Sequence, residues 1–284
     1  MKNISTIPQD LQALWDKGSS PDPGDLKVFC DNVSEAITSS FAEAVSEEVR
    51  VILRMSSIGK PARQLWYESQ DDTEPEYIDY SLRLKFLYGH IIEELLVLLL
   101  KSSGHTVEEQ QKEHEIDGIT GHQDGRVDGV LVDFKSASGR SFTKFKNQTL
   151  VDNDPFGYIG QLSAYAHKEK DKEAAFIVMD KQTGEVTCMP LHNMEMIDPE
   201  ERIKYLKDAL SKDTPPERCY DPVPDGQSGN LKLATGCSYC RFKFDCWEDV
   251  NDGVGLRGFK YANGTRYLTQ VRKTPNVEEL TPNF

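Results

Sequence analysis

Two short apolar runs flank Asp128-Gly129, a pattern that predicts a β-hairpin with a two-residue turn. In this register Asp124 of the first strand lies opposite Asp133 of the second. Side-chain alternation along the second strand predicts an apolar face and a face that carries charge. The first face holds Val130, Val132 and Phe134, and the second holds Leu131, Asp133 and Lys135.

Cross-strand partners lie only ~5 Å apart, so the two aspartates repel each other unless a cation neutralises them. We therefore interpret Asp124, Asp133 and Lys135 as a divalent-cation site with a lysine beside it. The alternative is an ordinary solvated strand face for Asp133 and Lys135, which is the more common meaning of an isolated Asp-x-Lys. Asp128 is interpreted as the turn residue.

An apolar segment upstream contributes a third carboxylate. Residues 82–101 contain no proline and many helix formers, which predicts a buried helix. In this helix Glu94 falls on the solvated face. Glu93 falls on an apolar face, where a carboxylate needs a metal or a cationic partner. The residues that share this face with Glu93 are Phe86, Val97 and Leu100.

A predicted helix downstream carries Gln161 and Tyr165, which are four residues apart and project from the same side. By itself this pair is typical of any half-buried helix. Residues 1–25 are interpreted as a mobile entry segment or as a small helix with a linker. The other predicted elements are an amphipathic helical pattern over 26–54 (Val33, Ile37, Phe41, Val45, Val49), a hairpin of strands 174–180 and 185–191, and a helix over 199–211. The tail after Gly253 is predicted to form a terminal strand or, alternatively, to contact a partner.

In chain order, Glu93, Asp124, Asp133-x-Lys135 and Gln161-x-x-x-Tyr165 resemble the motifs of the PD-(D/E)xK nuclease superfamily. The likeness is greatest to its RecB-type, phage-exonuclease and CRISPR-adaptation branch, and it covers roughly residues 50–250. Gly89-x-x-x-Glu93 resembles the helix motif of the members similar to phage lambda exonuclease, which have Glu where other members have His.

The resemblance implies an α/β fold with a restriction-endonuclease-like core, in which helices flank a central mixed sheet, and a C-terminal cysteine-ligated module. The implied division of the chain is an N-terminal helical region and linker (1–56), the nuclease core (57–215), the cysteine-cluster module (216–250) and a C-terminal tail (251–284).

Both the residues and the resemblance indicate Mg²⁺, or Mn²⁺, as the cofactor. Glu93, Asp124, Asp133 and the backbone carbonyl of Phe134 would supply the hard oxygen ligands that Mg²⁺ prefers. Lys135 would position the attacking water or stabilise the transition state. By resemblance, Gln161 and Tyr165 would contact the substrate backbone or orient the site. His122 is predicted on the same strand face as Asp124, where it would support the ligands.

Six cysteines give a second signal, because Cys237, Cys240 and Cys246 form C-x₂-C-x₅-C. The N-terminus has no apolar signal-peptide segment, which predicts a cytoplasmic chain (host cytoplasm if phage-encoded), where clustered cysteines bind metal more often than they form disulfides. This spacing resembles that of iron–sulfur members of the same nuclease branch, which implies a 4Fe–4S cluster; Zn²⁺ is the alternative.

The resemblance leaves the fourth cysteine ligand open, because Pro61 stands where the early cysteine of those relatives would fall. Cys219 is the first choice and Cys30 the second. Cys188 is predicted to be an ordinary core residue of a strand. The alternative for the whole group is that these are buried cysteines without ligands.

The net charge of −14 argues against a protein that binds polyanions over its whole surface. One segment differs, because 136–151 has Arg140, Lys144 and Lys146 and no acidic residue. With Phe142 and Phe145 between them, these cations are predicted to hold phosphates and stack an unpaired base; the alternative is an ordinary basic loop. Arg241 and Lys243 would extend this track.

These observations predict a Mg²⁺-dependent deoxyribonuclease, and an exonuclease rather than a site-specific endonuclease. Three alternatives remain: a structure-specific endonuclease, a nuclease-fold subunit that recruits other proteins, and a cysteine-cluster binding module with structural carboxylates. DNA is the expected partner, together with a recombination or replication protein, and an oligomer is compatible with the sequence. No membrane association is expected, because the longest apolar run is far shorter than a membrane span of ~20 residues.

Overall fold

A computed structural model describes residues 2–42, 53–70 and 80–280. The helices are α1 (Ile7–Asp16), α2 (Pro23–Ala42), α3 (Ala62–Gln70), α4 (Tyr80–Ser102), α5 (Arg140–Lys146), α6 (Tyr158–Glu169), α7 (Pro199–Leu210), α8 (Thr235–Ser238), α9 (Lys243–Cys246) and α10 (Val250–Gly253). The strands are β1 (Val107–Glu108), β2 (Glu113–Ile116), β3 (Ile119–His122), β4 (Gly125–Val127), β5 (Val130–Ala137), β6 (Glu173–Asp180), β7 (Val186–His192), β8 (Val223–Pro224), β9 (Leu231–Lys232), β10 (Arg257–Tyr261), β11 (Gly264–Gln270) and β12 (Glu279–Leu280).

The chain divides into two compact units. The first comprises the described residues of Met1–Gly59 and Thr73–Lys204, and the second those of Lys60–Asp72 and Tyr205–Phe284. The predicted cysteine-cluster module and C-terminal tail fall together in the second unit, which also takes in Lys60–Asp72. The four-part division of the chain stays a prediction.

The first unit contains a five-stranded sheet in the order β1-β4-β5-β6-β7. The β5–β6 pair is parallel and the other pairs are antiparallel, so the sheet is mixed. Helices flank the sheet: α1 and α4 contribute to a core with Val132 and Phe134 of β5, and Phe145 of α5 packs on Phe176, which points to the opposite face. The predicted α/β fold with a central mixed sheet and flanking helices is confirmed.

The predicted hairpin register is also confirmed. Gly125 pairs with Val132, Arg126 with Leu131 and Val127 with Val130. Asp128 (φ 51°) and Gly129 (φ 85°) adopt the left-handed conformations that a tight two-residue turn requires. The predicted second hairpin is formed by β6 and β7, and the predicted helix over 199–211 is α7.

The N-terminal segment is more than the small helix with a linker that the sequence predicts. Ile7 and Leu11 of α1 are buried in the same core as Val132, so α1 is part of the fold. The predicted helical pattern over 26–54 is confirmed as far as α2; its last two positions, Val45 and Val49, lie outside the described residues.

The start of α6 is fixed by a close approach between backbones. A Cβ atom added at Gly160 would lie 2.5 Å from the Cα atom of Gly59, and one added at Gly59 would lie 2.1 Å from the carbonyl oxygen of Gly157. The carbonyl of Ile58 also accepts a hydrogen bond from Nε of Arg202 (2.9 Å). Only residues without a side chain fit at this crossing.

Gly160→Ala is therefore expected to lower the free energy of unfolding by about 2–4 kcal/mol, because a backbone segment has to move to admit the methyl group. Gly89 is a matched control, since it lies in helix α4 and a Cβ atom there meets nothing within 4 Å. Gly89→Ala is expected to raise the free energy of unfolding by about 0.5–1 kcal/mol. Urea denaturation of both variants measures these changes of opposite sign in the free energy of unfolding. Equal changes in the two variants would contradict the steric role of the backbone crossing at Gly160.

The second unit contains an antiparallel sheet in the order β12-β10-β11-β9-β8. The predicted terminal strand after Gly253 is present as β10, β11 and β12. Leu233, Trp247 and Leu256 form a small core, against which Cys237 and Cys246 pack. Across the described ranges, no helix is long and apolar enough to cross a membrane.

Candidate active site

Asp133 and Lys135 form an ion pair in the middle of β5. The carboxylate of Asp133 is only 1% exposed, and its Oδ2 atom lies 2.5 Å from Nζ of Lys135. Burial raises the pKa of Asp133, and the neighbouring Lys135 opposes this rise. Burial would lower the pKa of Lys135, but the attraction of Asp133 and Asp124 outweighs it and the pKa is raised. Lys135 therefore stays protonated, although its side chain is partly buried.

Asp124 lies next to this pair, as the hairpin predicts. Its Oδ2 atom accepts a hydrogen bond from the backbone N–H of Phe134 (2.6 Å), which ties the residue before β4 to β5. Burial and repulsion by Asp133 raise the pKa of Asp124 well above its ordinary value, against the attraction of Lys135. Glu93 raises it further. The negative charge of Asp133 therefore disfavours ionisation of Asp124.

Glu93 completes the group from α4. Burial raises the pKa of Glu93 to about 7, with further contributions from Glu94 and Asp133. Its Oε1 atom accepts a hydrogen bond from Nε2 of Gln111 (2.9 Å). The face of α4 that carries Glu93 is not buried along its whole length as predicted, because Phe86, two turns before Glu93, is 56% exposed. Glu94 is also not fully solvated, since it accepts a hydrogen bond from Asn32 of α2.

The three carboxylates fit a hard cation in charge and chemistry. Oδ1 of Asp133 is buried and has no hydrogen-bond partner among the described residues. Burial raises the pKa of each carboxylate despite the opposing attraction of Lys135, so a further cation would favour the ionised forms. In the described ranges, however, no group of three or more His, Cys, Asp or Glu side chains has an arrangement that would hold a metal ion. The side chains instead make the local contacts with Lys135, Phe134 and Gln111.

Gln161 and Tyr165 lie on α6 as predicted, and the two side chains are in contact. Burial raises the pKa of Tyr165 to about 12, while a hydrogen bond with Gln161 opposes the rise. The charges of Asp133 and Asp124 also act on Tyr165, which places it beside the carboxylates. Gly121 has to be small for this packing, because a Cβ atom there would lie 2.8 Å from the Tyr165 hydroxyl.

A cleft opens beside Glu93 and Lys135. It is lined by residues of α4, β5 and α6, including Glu93, Lys135 and Tyr158. Sequence reasoning missed Tyr158 and Gln111. Tyr158 precedes Gln161 by three residues, so helical spacing was a usable signal for it. Gln111 lies between β1 and β2 and carried no such signal.

His122 does not take the predicted place beside Asp124. It ends β3, which pairs with β2 in a separate two-stranded sheet, and its side chain is exposed. β3 and β4 belong to different sheets, so the alternation of a single strand does not carry from His122 to Asp124. The buried residue here is Gln123, which is hydrogen-bonded to His114 (2.8 Å).

The basic segment after β5 is a helix, and its aromatic residues are in the core. Phe142 and Phe145 of α5 are only 4% and 1% exposed, so the prediction that they stack an unpaired base is wrong. The amphipathic spacing of a short helix explains this burial. Lys146 pairs with Glu185 (2.7 Å) and Lys144 donates to the carbonyl of Asn153 (2.7 Å). Arg140 is exposed.

In the second unit, four cysteines line one cavity: Cys219, Cys237, Cys240 and Cys246. All are free thiols. Cys219, the first choice for the fourth position, accepts backbone hydrogen bonds from Arg63 and Gln64 at the start of α3. Cys30, the second choice, is an exposed residue of α2 in the first unit.

Cationic side chains surround this cavity. Nε of Arg63 donates to Sγ of Cys246 (3.1 Å), and the guanidinium group of Arg218 lies 4.1 Å from the Trp247 ring centroid. Burial raises the pKa of Cys237 to about 12, and the other thiols add to this. Arg241 and Lys243, the predicted extension of the basic track, lie against the rings of Phe242 and Phe244.

Cys188 behaves as predicted. It lies in β7, packs against the core of the first unit, and burial raises its pKa to about 12. It therefore serves as an internal reference for a structural cysteine.

Neither a protein-family profile nor a curated protein sequence matches this chain. Among solved structures, SSO0001 is 14% identical with a TM-score of 0.41, over 74% of this chain and 93% of that one. A phage-related exonuclease from Haemophilus somnus 129PT is 15% identical with a TM-score of 0.38, over 57% and 92%. LHK-Exo from Laribacter hongkongensis, in complex with dAMP, is 13% identical with a TM-score of 0.32, over 55% and 92%. Two of the three are named exonucleases, but at these identities and TM-scores the likenesses assign neither a family nor an activity to this chain.

Proposed function

We propose that this protein is a Mg²⁺- or Mn²⁺-dependent nuclease that hydrolyses phosphodiester bonds in DNA. The observation that carries the proposal is the buried carboxylate of Asp133, whose Oδ1 atom has no hydrogen-bond partner among the described residues. Asp133 shares its surroundings with two further carboxylates of raised pKa and with a permanent cation, Lys135. A cleft lies beside them.

Glu93, Asp124, Asp133 and the carbonyl of Phe134 would hold the ion, which when bound polarises a phosphodiester oxygen and lowers the pKa of water. The ligands have to turn from their local partners to do so. Lys135 orients the attacking water or stabilises negative charge on the phosphoryl oxygens. Gln161 and Tyr165 support this group from α6 and contact the substrate backbone.

We place the activity at DNA ends. A net charge of −14 disfavours binding along a long stretch of duplex, so DNA contacts have to be local to the cleft. Arg140, Lys144 and Lys146 of α5 follow β5 directly in the chain and are the proposed phosphate contacts. Of these three proposed phosphate contacts, Arg140 has the best support, because it is exposed whereas Lys146 already pairs with Glu185.

The test is degradation of end-labelled linear DNA and of covalently closed circular DNA of the same sequence, in Mg²⁺ and in Mn²⁺. We expect loss of the linear DNA alone. Cutting of the circular DNA would indicate a structure-specific endonuclease instead of an exonuclease. Activity that requires an added recombination or replication protein would indicate a recruitment subunit.

The four-cysteine cavity is proposed to hold an iron–sulfur cluster of the 4Fe–4S type rather than Zn²⁺. The spacing of Cys237, Cys240 and Cys246 resembles that of iron–sulfur nucleases rather than that of a zinc ribbon. Cys219 supplies a fourth thiol that lines the same cavity. Burial is the main cause of the raised pKa of Cys237, and the other thiols add to it; ligation by a cluster would compensate the negative charge of the buried thiolates.

Cys240→Ser is therefore expected to lower the iron and sulfide content of anaerobically purified protein at least severalfold, because one ligand is lost. Cys188→Ser is the control and is expected to leave the content unchanged. Metal analysis and the visible absorption spectrum measure both. Zinc in place of iron would support the alternative metal, and no metal in the wild type would contradict ligation.

A further inference from the structure

Tyr158 stands at the first position of α6 with its backbone held in place. The carboxylate of Asp154 accepts hydrogen bonds from the backbone N–H groups of Gly157 (3.0 Å) and Ile159 (2.8 Å). Gly157 itself adopts the left-handed conformation (φ 78°). Together with the close approach of Gly59, these contacts fix the orientation of the start of α6.

The ring of Tyr158 is also held from the sides. The ring centroid of Phe145 lies 6.1 Å away and that of Phe156 lies 5.6 Å away. Phe145 is itself buried and packs edge-on against Phe176 of β6. The half-buried Tyr158 ring therefore packs against the buried Phe145 and the exposed Phe156.

Nζ of Lys135 lies over this ring, 5.3 Å from its centroid. The same nitrogen lies 2.5 Å from Oδ2 of Asp133. The ammonium group thus has two anchors, one ionic and one aromatic. A cation over the face of an aromatic ring within about 6 Å is attracted by the ring's quadrupole, and more strongly where water is excluded.

We propose that Tyr158 is a positioning residue for Lys135, and that its ring face holds the ammonium group at the cleft wall when the Asp133 carboxylate turns to another partner. This proposal rests on the proposed nuclease function, in which Asp133 has to give up its contact with Lys135. The ionic anchor weakens at that moment. The aromatic anchor does not, because the ring takes no part in holding a metal ion.

Kinetics of Tyr158→Phe and Tyr158→Leu test the role. The phenylalanine variant keeps the ring and is expected to retain kcat within about threefold. The leucine variant is expected to lose about tenfold in kcat with KM little changed, the factor that removal of one partly desolvated cation–π contact gives. Tyr205→Leu, at an exposed tyrosine of α7, is the control and is expected to leave kcat unchanged.

A second measurement does not depend on activity. Reductive ¹³C-methylation of lysines keeps their charge, and the Lys135 signal is assigned by its absence in Lys135→Arg. In metal-free protein we expect the ring current of Tyr158 to shift this signal upfield in the wild type and in Tyr158→Phe, but not in Tyr158→Leu. An unshifted wild-type signal, or full kcat in folded Tyr158→Leu, would overturn the proposal. A ring-shifted signal in a protein without nuclease activity would instead refute the proposed function and leave the contact standing.

Discussion

Asp133→Asn is expected to abolish DNA hydrolysis, with a loss of at least about 10²–10³-fold, while the protein stays folded. The carboxylate is the most buried of the proposed ligands, and the change removes its charge at nearly constant volume. Lys135 keeps the attraction of Asp124 and the ring of Tyr158, so the variant does not leave its ammonium group without partners. End-labelled DNA degradation and thermal unfolding in EDTA measure both parts.

Asp152→Asn is the matched control, because Asp152 is exposed. It is expected to leave activity and melting temperature unchanged. If Asp133→Asn lost its fold instead of its activity, Asp133 would be a structural residue, and the reading of the chain as a cysteine-cluster binding module would gain support. An active and folded Asp133→Asn would remove Asp133 from the site.

Glu93→Gln is expected to raise the free energy of unfolding by about 1–3 kcal/mol at pH 8 in EDTA and to leave it unchanged at pH 4.5. The pKa of Glu93 is about 7 in the folded protein against an ordinary value of 4.5. A raised pKa means that ionised Glu93 destabilises the fold, so stability is lost as the pH rises from about 4.5 to 7 and the penalty is constant above that. Glutamine cannot ionise, so the variant does not incur this loss of stability.

Urea denaturation at the two pH values tests this dependence, with the exposed Glu115→Gln as control. At pH 8, Mg²⁺ is expected to narrow the difference in the free energy of unfolding between Glu93→Gln and the wild type. Binding of the ion stabilises the folded state, and the wild type binds it more tightly because it keeps Glu93 as a ligand. A difference that is the same at pH 4.5 and pH 8 would show that ionisation of Glu93 has no part in it.

Local chemistry made much of this site predictable. The turn residues Asp128 and Gly129 determine the register of β4 and β5, and the register determines which residues face Asp133. Helical spacing then places Gln161 and Tyr165 together. The mixed sheet followed from the motif resemblance and is confirmed.

Other features depend on packing between distant segments, which local patterns do not carry. Phe142 and Phe145 look like base-stacking residues beside lysines, but the sheet beneath α5 buries them. Asn32 on α2 partly covers Glu94, and nothing near Glu94 in the sequence predicts it. Tyr158 was within reach of helical spacing, yet its contact with Lys135 requires the Asp154 cap and the crossing at Gly59.

The most direct test of the central claim is single-turnover hydrolysis of end-labelled linear DNA by the wild type and by Lys135→Met, in Mg²⁺ and Mn²⁺. Methionine keeps most of the side-chain length and removes the charge, and the exposed Lys172→Met is the control. The predicted result is hydrolysis by the wild type and Lys172→Met, and a rate about 10²–10³-fold lower for folded Lys135→Met. Equal rates for all three proteins, or no hydrolysis by the wild type with either metal, would contradict the claim.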